Sequence, residues 1–464
     1  MVTYDLTKRG HLSLYEYLYQ KIKDDIILGN LERNEKLPSK RALSEHLKVS
    51  VKTVENAYAQ LLAEGYIRSM EKKGYYVNQV SQTNAISTTL SESTFKQNKE
   101  EYFADFTAND ISYEQFPLSL WAKVMRETLS DYDTTLLNTR PFYGIEKLRI
   151  EIAKYLYRFR GMDVSPEHIV IGSGTEYLYS CLVQLFGDKA VYGVENPGYH
   201  HIVHIYNGHR VPWEYIDIDQ FGPCAENLYQ KSVNVIHVSP THHYPVGIVM
   251  PLERRQELLK WVAEETERYI IEDDYDCEFR YSDKPYPTMQ SLDCNHRVIY
   301  INTFSKTMIP SLRVSYMVLP EKLMERYIST MSFYSCTVSG FEQYALASFL
   351  EKGYFERHIR RMTKYYENQH KKVLEMFRKS ALSKVSSIYE YPAGTYFLLK
   401  IDTNLSDVEI KWSAKEHGIL LNCLSEYYYD NQQKYPATVI INYSNIEEKE
   451  LERAIAELEK IFLI

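Results

Sequence analysis

Leu14, Leu18, Ile22 and Ile26 recur every four positions, the spacing that lines one face of a helix with apolar side chains, and Gly29-Asn30 ends the run. Pro38-Ser39 opens a second short helix with Leu43 and Leu47 turned inward. Lys48-Val49-Ser50 makes a turn, and Ser50 can cap a third helix whose inner stripe is Val54, Ala57, Tyr58, Leu61 and Leu62, up to Gly65. Tyr66-Ile67-Arg68 and Tyr75-Tyr76-Val77 then pair as strands around a basic turn, Lys72-Lys73-Gly74. Residues 1–78 therefore predict a winged helix-turn-helix domain. Residues 79–100 have almost no large apolar side chains and no periodicity, so they are expected to be a flexible linker. From 101 to 464 the pattern changes. Apolar bursts at 168–171, 233–238, 269–271 and 298–301 alternate with longer helical stretches, which predicts buried parallel strands in an α/β domain.

Charge sharpens this division. The net charge of −8 argues against nucleic acid as a partner of the whole surface, yet the first 78 residues carry 13 lysines and arginines against 10 acids. Any contact with double-stranded DNA is thus expected from the head. The six cysteines lie far apart with no C-x-x-C pair, which predicts reduced, structural thiols and no metal site. No apolar run approaches the roughly 18 residues of a membrane span. Asp5, Lys8 and Arg9 do not suit a signal peptide, so a cytoplasmic protein is expected. The 42 tyrosines suggest packing rather than a chemistry.

Within the head, Ser39, Lys40 and Arg41 open the second helix, and Ser50, Lys52, Thr53 and Asn56 lie on the outer side of the third. Helix starts point backbone N–H groups at phosphates, and the third helix of such a fold enters the major groove. Lys72 and Lys73 are placed to reach an adjacent groove or phosphate. In the body, Tyr300 to Lys306 reads as a buried strand running into a hydroxyl-rich turn with one lysine, and Arg313 follows seven residues later. A lysine can bond an aldehyde while arginine and hydroxyls hold a phosphate. Gly172-Ser173-Gly174-Thr175 joins a strand to a helix, a turn that suits an anion but is weak evidence alone. Glu272-Asp273-Asp274-Tyr275 puts a carboxylate and a phenol at a strand's end. Three acids in a row more often form a solvated loop. Between a phosphate turn and a lysine-bearing turn, they suit a protonated pyridine nitrogen.

The head resembles the GntR family of bacterial repressors in its Leu-Pro-Ser-x-Arg, Val-Ser, Thr-Val, Ala-Tyr and Glu-Gly pattern, with Val51 standing where relatives commonly have arginine. The body resembles fold-type I aminotransferases, and the whole chain resembles the MocR subfamily, which joins the two. The resemblance implies a homodimer with head-to-tail domain swapping, and pyridoxal 5'-phosphate as cofactor. It implies Lys306 as the Schiff-base lysine, Asp273 facing the pyridine nitrogen, Tyr275 on the ring oxygen and Tyr199 stacked on the ring. Gly174, Thr175, Thr303, Ser305 and Arg313 would surround the phosphate, with His242 and His243 in a loop flanking the cofactor and Tyr143-Gly144 directed to the neighbouring subunit.

An aminotransferase fixes its substrate carboxylate with an arginine near the chain's end, because a bidentate fork orients the α-carbon. The corresponding segment is Val439-Ile440-Ile441-Asn442-Tyr443, and no arginine occurs between Arg378 and Arg453. His201 stands where an amino-acid-sensing relative has a second arginine. The expected function is a regulator that senses pyridoxal phosphate through Lys306 and controls vitamin B6 synthesis genes. Two alternatives stay open. One is a sensor of an amino acid or amine held by His201 or Lys400; the other is an active aminotransferase with a DNA-binding head.

Overall fold

Ser13, Ser39 and Ser50 each accept a hydrogen bond from the backbone N–H three residues on. This is the N-cap that a short hydroxyl side chain supplies, and it starts the helices Leu14–Ile27, Lys40–Leu47 and Val51–Ala63. Lys48, left-handed at φ 52°, makes the sharp corner between the second and third. Val54, Ala57, Tyr58 and Leu61 are fully buried in one core with Leu18, Ile22 and Leu43. Strands Ile67–Met70 and Gly74–Val77 pair antiparallel, Ile67 opposite Val77 and Met70 opposite Gly74. The molecule, a computed structural model, describes residues 3–10, 12–71, 73–78, 102–108, 112–131, 134–138, 140–281, 286–391, 393–429 and 435–463. Lys72 and the expected linker at 79–100 lie outside them. The chain divides into two units, Met1–Lys99 and Glu100–Ile464.

In the second unit an eight-stranded sheet runs in the order Ile169–Gly172, Ser315–Val318, Val298–Thr303, Tyr269–Asp273, Val235–Val238, Tyr192–Asn196, Trp213–Asp219, Gly222–Pro223. Alternate residues feed two cores. Ile169 and Ile171 pack with helices Leu118–Asp131, Glu146–Arg160 and Gly340–Glu351, whereas Val170 packs with Thr175–Phe186, His200–His209 and Glu321–Met331. The sheet is thereby covered by helices on both faces, as an α/β domain requires. The four strands read from the apolar bursts run in one direction, as expected. The sheet is mixed, because Ser315–Val318 runs antiparallel to both its neighbours. Residues 304–314, which carry Lys306, are too few to hold a crossover helix and return the chain directly. Gly172, Ser315 and Thr303 lie in one register, with Asp273 beside Ile301, so the carboxyl ends of three strands meet on one edge. Ligands of open α/β sheets bind at such an edge.

A smaller antiparallel sheet follows the long helix Tyr354–Lys379, in the order Ser386–Tyr389, Tyr396–Ile401, Thr438–Asn442, Asn422–Cys423. Ala104–Asp105 pairs with Ile419–Leu420, tying the start of this unit to its C-terminal part. Among the described residues no helix is long and apolar enough to cross a membrane.

Candidate functional site

A cavity of about 540 Å³ is lined by Lys306, Asp273, Tyr275, Tyr199, Thr175 and Thr303, six of the residues singled out in the sequence. Asp273 ends its strand. Its Oδ2 accepts a 2.6 Å hydrogen bond from the Tyr179 hydroxyl and lies 3.5 Å from His237 Nε2, while its Oδ1 is buried without a partner among the described residues. A buried acceptor left unmatched costs about 1–3 kcal/mol, so this oxygen suits a ligand donor such as a protonated ring nitrogen. Gly174, Ser305 and Arg313 adjoin the wall rather than line it. Ser305 Oγ is also buried and unpartnered. Thr303 Oγ1 receives Ser305 N–H at 3.1 Å and contacts Ser315 Oγ at 2.8 Å. Gly174 has φ 90°, a conformation that favours glycine, and a Cβ there would fall 2.2 Å from Arg313 Nη2, the nitrogen that donates to Glu176 Oε2 at 2.6 Å. An orphan carboxylate oxygen and an orphan hydroxyl, with the Arg313 guanidinium nearby on its Glu176 partner, fit the ring nitrogen and phosphate of pyridoxal phosphate.

The three histidines expected to face a ligand separate. His201 lines the cavity, its ring stacked on Tyr199 at 4.9 Å. His242 and His243 are buried and absent from the lining. His242 Nδ1 lies 2.6 Å from Asp276 Oδ2, and Gly394 provides the space for its ring. His243 Nε2 is 3.6 Å from Glu195 Oε2. Burial pushes the Glu195 carboxyl up to about 8 and the His243 imidazole down to about 3, so both are neutral at intermediate pH. His358 is likewise held down, to about 4, by burial. As pH falls below the ordinary histidine value, the unfolded chain takes up protons that His243 and His358 refuse, and stability drops. As pH rises from the ordinary carboxyl value through about 8, the proton retained on Glu195 is lost and stability drops again. The urea midpoint of the full chain is therefore expected to peak near neutrality; a midpoint rising from pH 6.5 to 5 would contradict this assignment.

Tyr179 and His237 escaped the sequence reading, though each left a signal. Tyr179 lies one helical turn after Thr175, and His237 is the lone polar residue of the buried strand Val235–Val238. His200, His204, Asn422, Glu426 and Tyr427 complete another part of the wall. These had no local motif. No arginine lines the cavity among the described residues. Lys400 is exposed on its strand, and Tyr443 is buried, its hydroxyl donating to Gly394 O. Tyr143 packs in its own chain under the Arg149 guanidinium, 4.5 Å from the ring centre.

On the head, Arg41, Ser50, Lys52, Asn56 and Lys73 are exposed. Ser39 and Ser50 spend their oxygens on their own helices. Ser50→Ala is expected to lower head stability by about 1 kcal/mol through the lost cap. Unchanged urea unfolding of the variant would refute that role. Thr53 Oγ1 contacts Ser50 Oγ at 2.8 Å. Lys40 and Lys52 bracket Glu55 at 3.0 and 3.3 Å.

Residues 103–458 match the family model for aminotransferase class I and II, and residues 14–77 that for the bacterial regulatory proteins of the gntR family. The chain is 35% identical to the HTH-type transcriptional regulator YdeL of Bacillus subtilis across all of both chains. It is 30% identical to the probable rhizopine catabolism regulatory protein MocR of Rhizobium meliloti, over 99% of this chain and 95% of that one. It is 30% identical to the HTH-type pyridoxine biosynthesis transcriptional regulator PdxR of Corynebacterium glutamicum, over 77% of each. In fold it is similar to the kynurenine aminotransferase of Pyrococcus horikoshii, with a TM-score of 0.70, 23% identity and coverage of 79% and 91%.

Proposed function

Because the chain belongs to the MocR-type GntR regulators, whose body is a class I and II aminotransferase domain, we propose that it binds DNA and reads pyridoxal phosphate. The observation that carries this reading is the buried, unmatched Asp273 Oδ1 in the cavity that Lys306 also lines. When bound, the cofactor supplies an aldehyde for covalent capture by an amine. In this assignment Lys306 captures it, Asp273 holds the proton on the ring nitrogen, and Tyr179 and His237 fix Asp273 in place. Tyr275 meets the ring oxygen, Tyr199 covers the ring, and Gly174, Thr175, Thr303, Ser305 and Arg313 take the phosphate. Arg41, Lys52, Asn56 and Lys73 contact the operator, with Ser39 and Ser50 offering the N–H groups of the helices they cap.

Pyridoxal phosphate itself is the signal in this reading, and vitamin B6 synthesis genes are the target. A cavity wall without arginine among the described residues, and the pyridoxine-biosynthesis regulator among the relatives, support it. The protein acts in the cytoplasm as a homodimer with swapped heads. A ligand shifts a two-state dimer only if it binds one state better. Footprinting on the DNA upstream of the B6 genes, with and without pyridoxal phosphate, is expected to show a cofactor-dependent change in protected length. Identical footprints would remove the sensing role. A second reading, in which an amine joins the cofactor, draws on the polar wall of His200, His201, His204 and Asn422. A change in the cofactor's absorbance on adding amines would select it.

A further inference from the structure

Away from the Lys306 cavity, a groove of about 600 Å³ in the second unit is lined by Arg158, Arg280, Arg360 and Lys364, with Phe159 and Ile359 as apolar lining. Arg280, Arg360 and Lys364 have no side-chain hydrogen bond or ion pair among the described residues, and Arg158 makes only a 3.6 Å contact with Glu356. Two acids share the groove. Glu367 is matched by Lys371 at 2.5 Å. Glu278 is buried, with Oε1 accepting from the Tyr155 hydroxyl at 2.6 Å and Oε2 buried without a partner. Burial holds its carboxyl above the usual range. Cations that outnumber the acids of the groove, three of them without an ion-pair partner among the described residues, beside a buried acid with an unmatched oxygen and the half-buried Phe159 ring, describe a site for an anion with an apolar body. A DNA backbone would use the cations but neither the recessed acid nor the apolar lining.

We propose that this groove is a second, non-covalent binding site for a small phosphorylated molecule with a flat apolar body. The phosphate meets Arg360, Lys364 and Arg158, and the ring lies along the half-buried Phe159. Two sources carry this chemistry, a phosphorylated B6 vitamer and a nucleotide. The groove rests on its own residues, and only the blocking step of its test depends on the reading that Lys306 captures pyridoxal phosphate; failure of that step shows as no mass added at Lys306, whereas failure of the groove shows as no effect of the groove variant.

The test uses the full chain loaded with pyridoxal phosphate and reduced with borohydride, so that the Lys306 cavity is filled. Pyridoxine 5'-phosphate, which lacks the aldehyde, and AMP are titrated by calorimetry, with inorganic phosphate for comparison. Saturable binding of one of the two, at one per chain and tighter than phosphate, is expected and identifies the source. In Arg360→Ala/Lys364→Ala the affinity should fall at least tenfold, and in Lys372→Ala/Lys379→Ala, whose partners Glu448 and Glu375 lie outside the groove, it should not. Absence of saturable binding, phosphate bound as tightly as either probe, or an unchanged affinity in the first variant overturns the proposal. Weaker operator binding by that variant without small-ligand binding also overturns it, and makes the groove a DNA contact.

Discussion

Lys306→Ala is expected to fold normally and to lose its hold on pyridoxal phosphate by about 100-fold or more, equivalent to ~2.7 kcal/mol. Lys306 lines the same cavity as Asp273 and Thr303, and its amine is the group that can bond an aldehyde there. Without it the ring nitrogen and phosphate contacts remain, so weak binding survives while the covalent hold does not. The wild-type chain should keep its visible absorbance through gel filtration. Borohydride should add the cofactor's mass to the peptide containing Lys306. The variant should do neither, and equal retention by both proteins would remove Lys306 from the site. An Asp273→Ala variant separates the roles, since it keeps the amine and loses the partner of the ring nitrogen.

Arg160→Leu should destabilise the body by about 3–5 kcal/mol, the cost of leaving a buried charge uncompensated. Arg160 Nη2 lies 2.7 Å from Asp274 Oδ2, with both side chains shut off from solvent at 1% and 0% exposure. The same carboxylate accepts from the Tyr300 hydroxyl at 2.7 Å, while Arg160 also donates to Thr241 Oγ1 at 3.2 Å. Truncating the arginine strands Asp274 in a medium that cannot solvate it. Adding Asp274→Leu should restore much of the loss, because an apolar pair of similar volume can replace a buried ion pair. Equilibrium urea unfolding of the two variants reads the difference. A loss under 1 kcal/mol in the single variant would mean that water reaches the pair.

The head was legible from its sequence because its signals are local. Ser39 and Ser50 cap the helices they precede, and the stripe from Val54 to Leu61 is one buried helical face. Lys306, Asp273 and the Gly174 turn were also legible, since each sits where a strand ends and a few residues announce it. What escaped depends on distant packing. His200 and Tyr427 share a wall although more than 200 residues separate them, and no window of sequence contains both. The histidine pair of the 242–243 loop failed to face the cavity for the same reason, as Asp276 holds His242 from another segment and His243 is buried beside Glu195. The antiparallel strand Ser315–Val318 was hidden because a buried strand looks the same in either direction.

The three consecutive acids carry a consequence for how this protein can change. Successive side chains of a strand point to opposite faces, so Asp273 reaches the cavity while Glu272 and Asp274 turn the other way. There Glu272 accepts from the Met289 and Gln290 amides and lies near Arg255, and Asp274 pairs with Arg160. A slip of one residue would drive two carboxylates into the cavity and leave two arginines facing a single acid. A paired exchange, such as Arg160 and Asp274 together, can be absorbed there. An inserted or deleted codon cannot, and lineages descended from this chain should exchange such partners together but never change the strand's count.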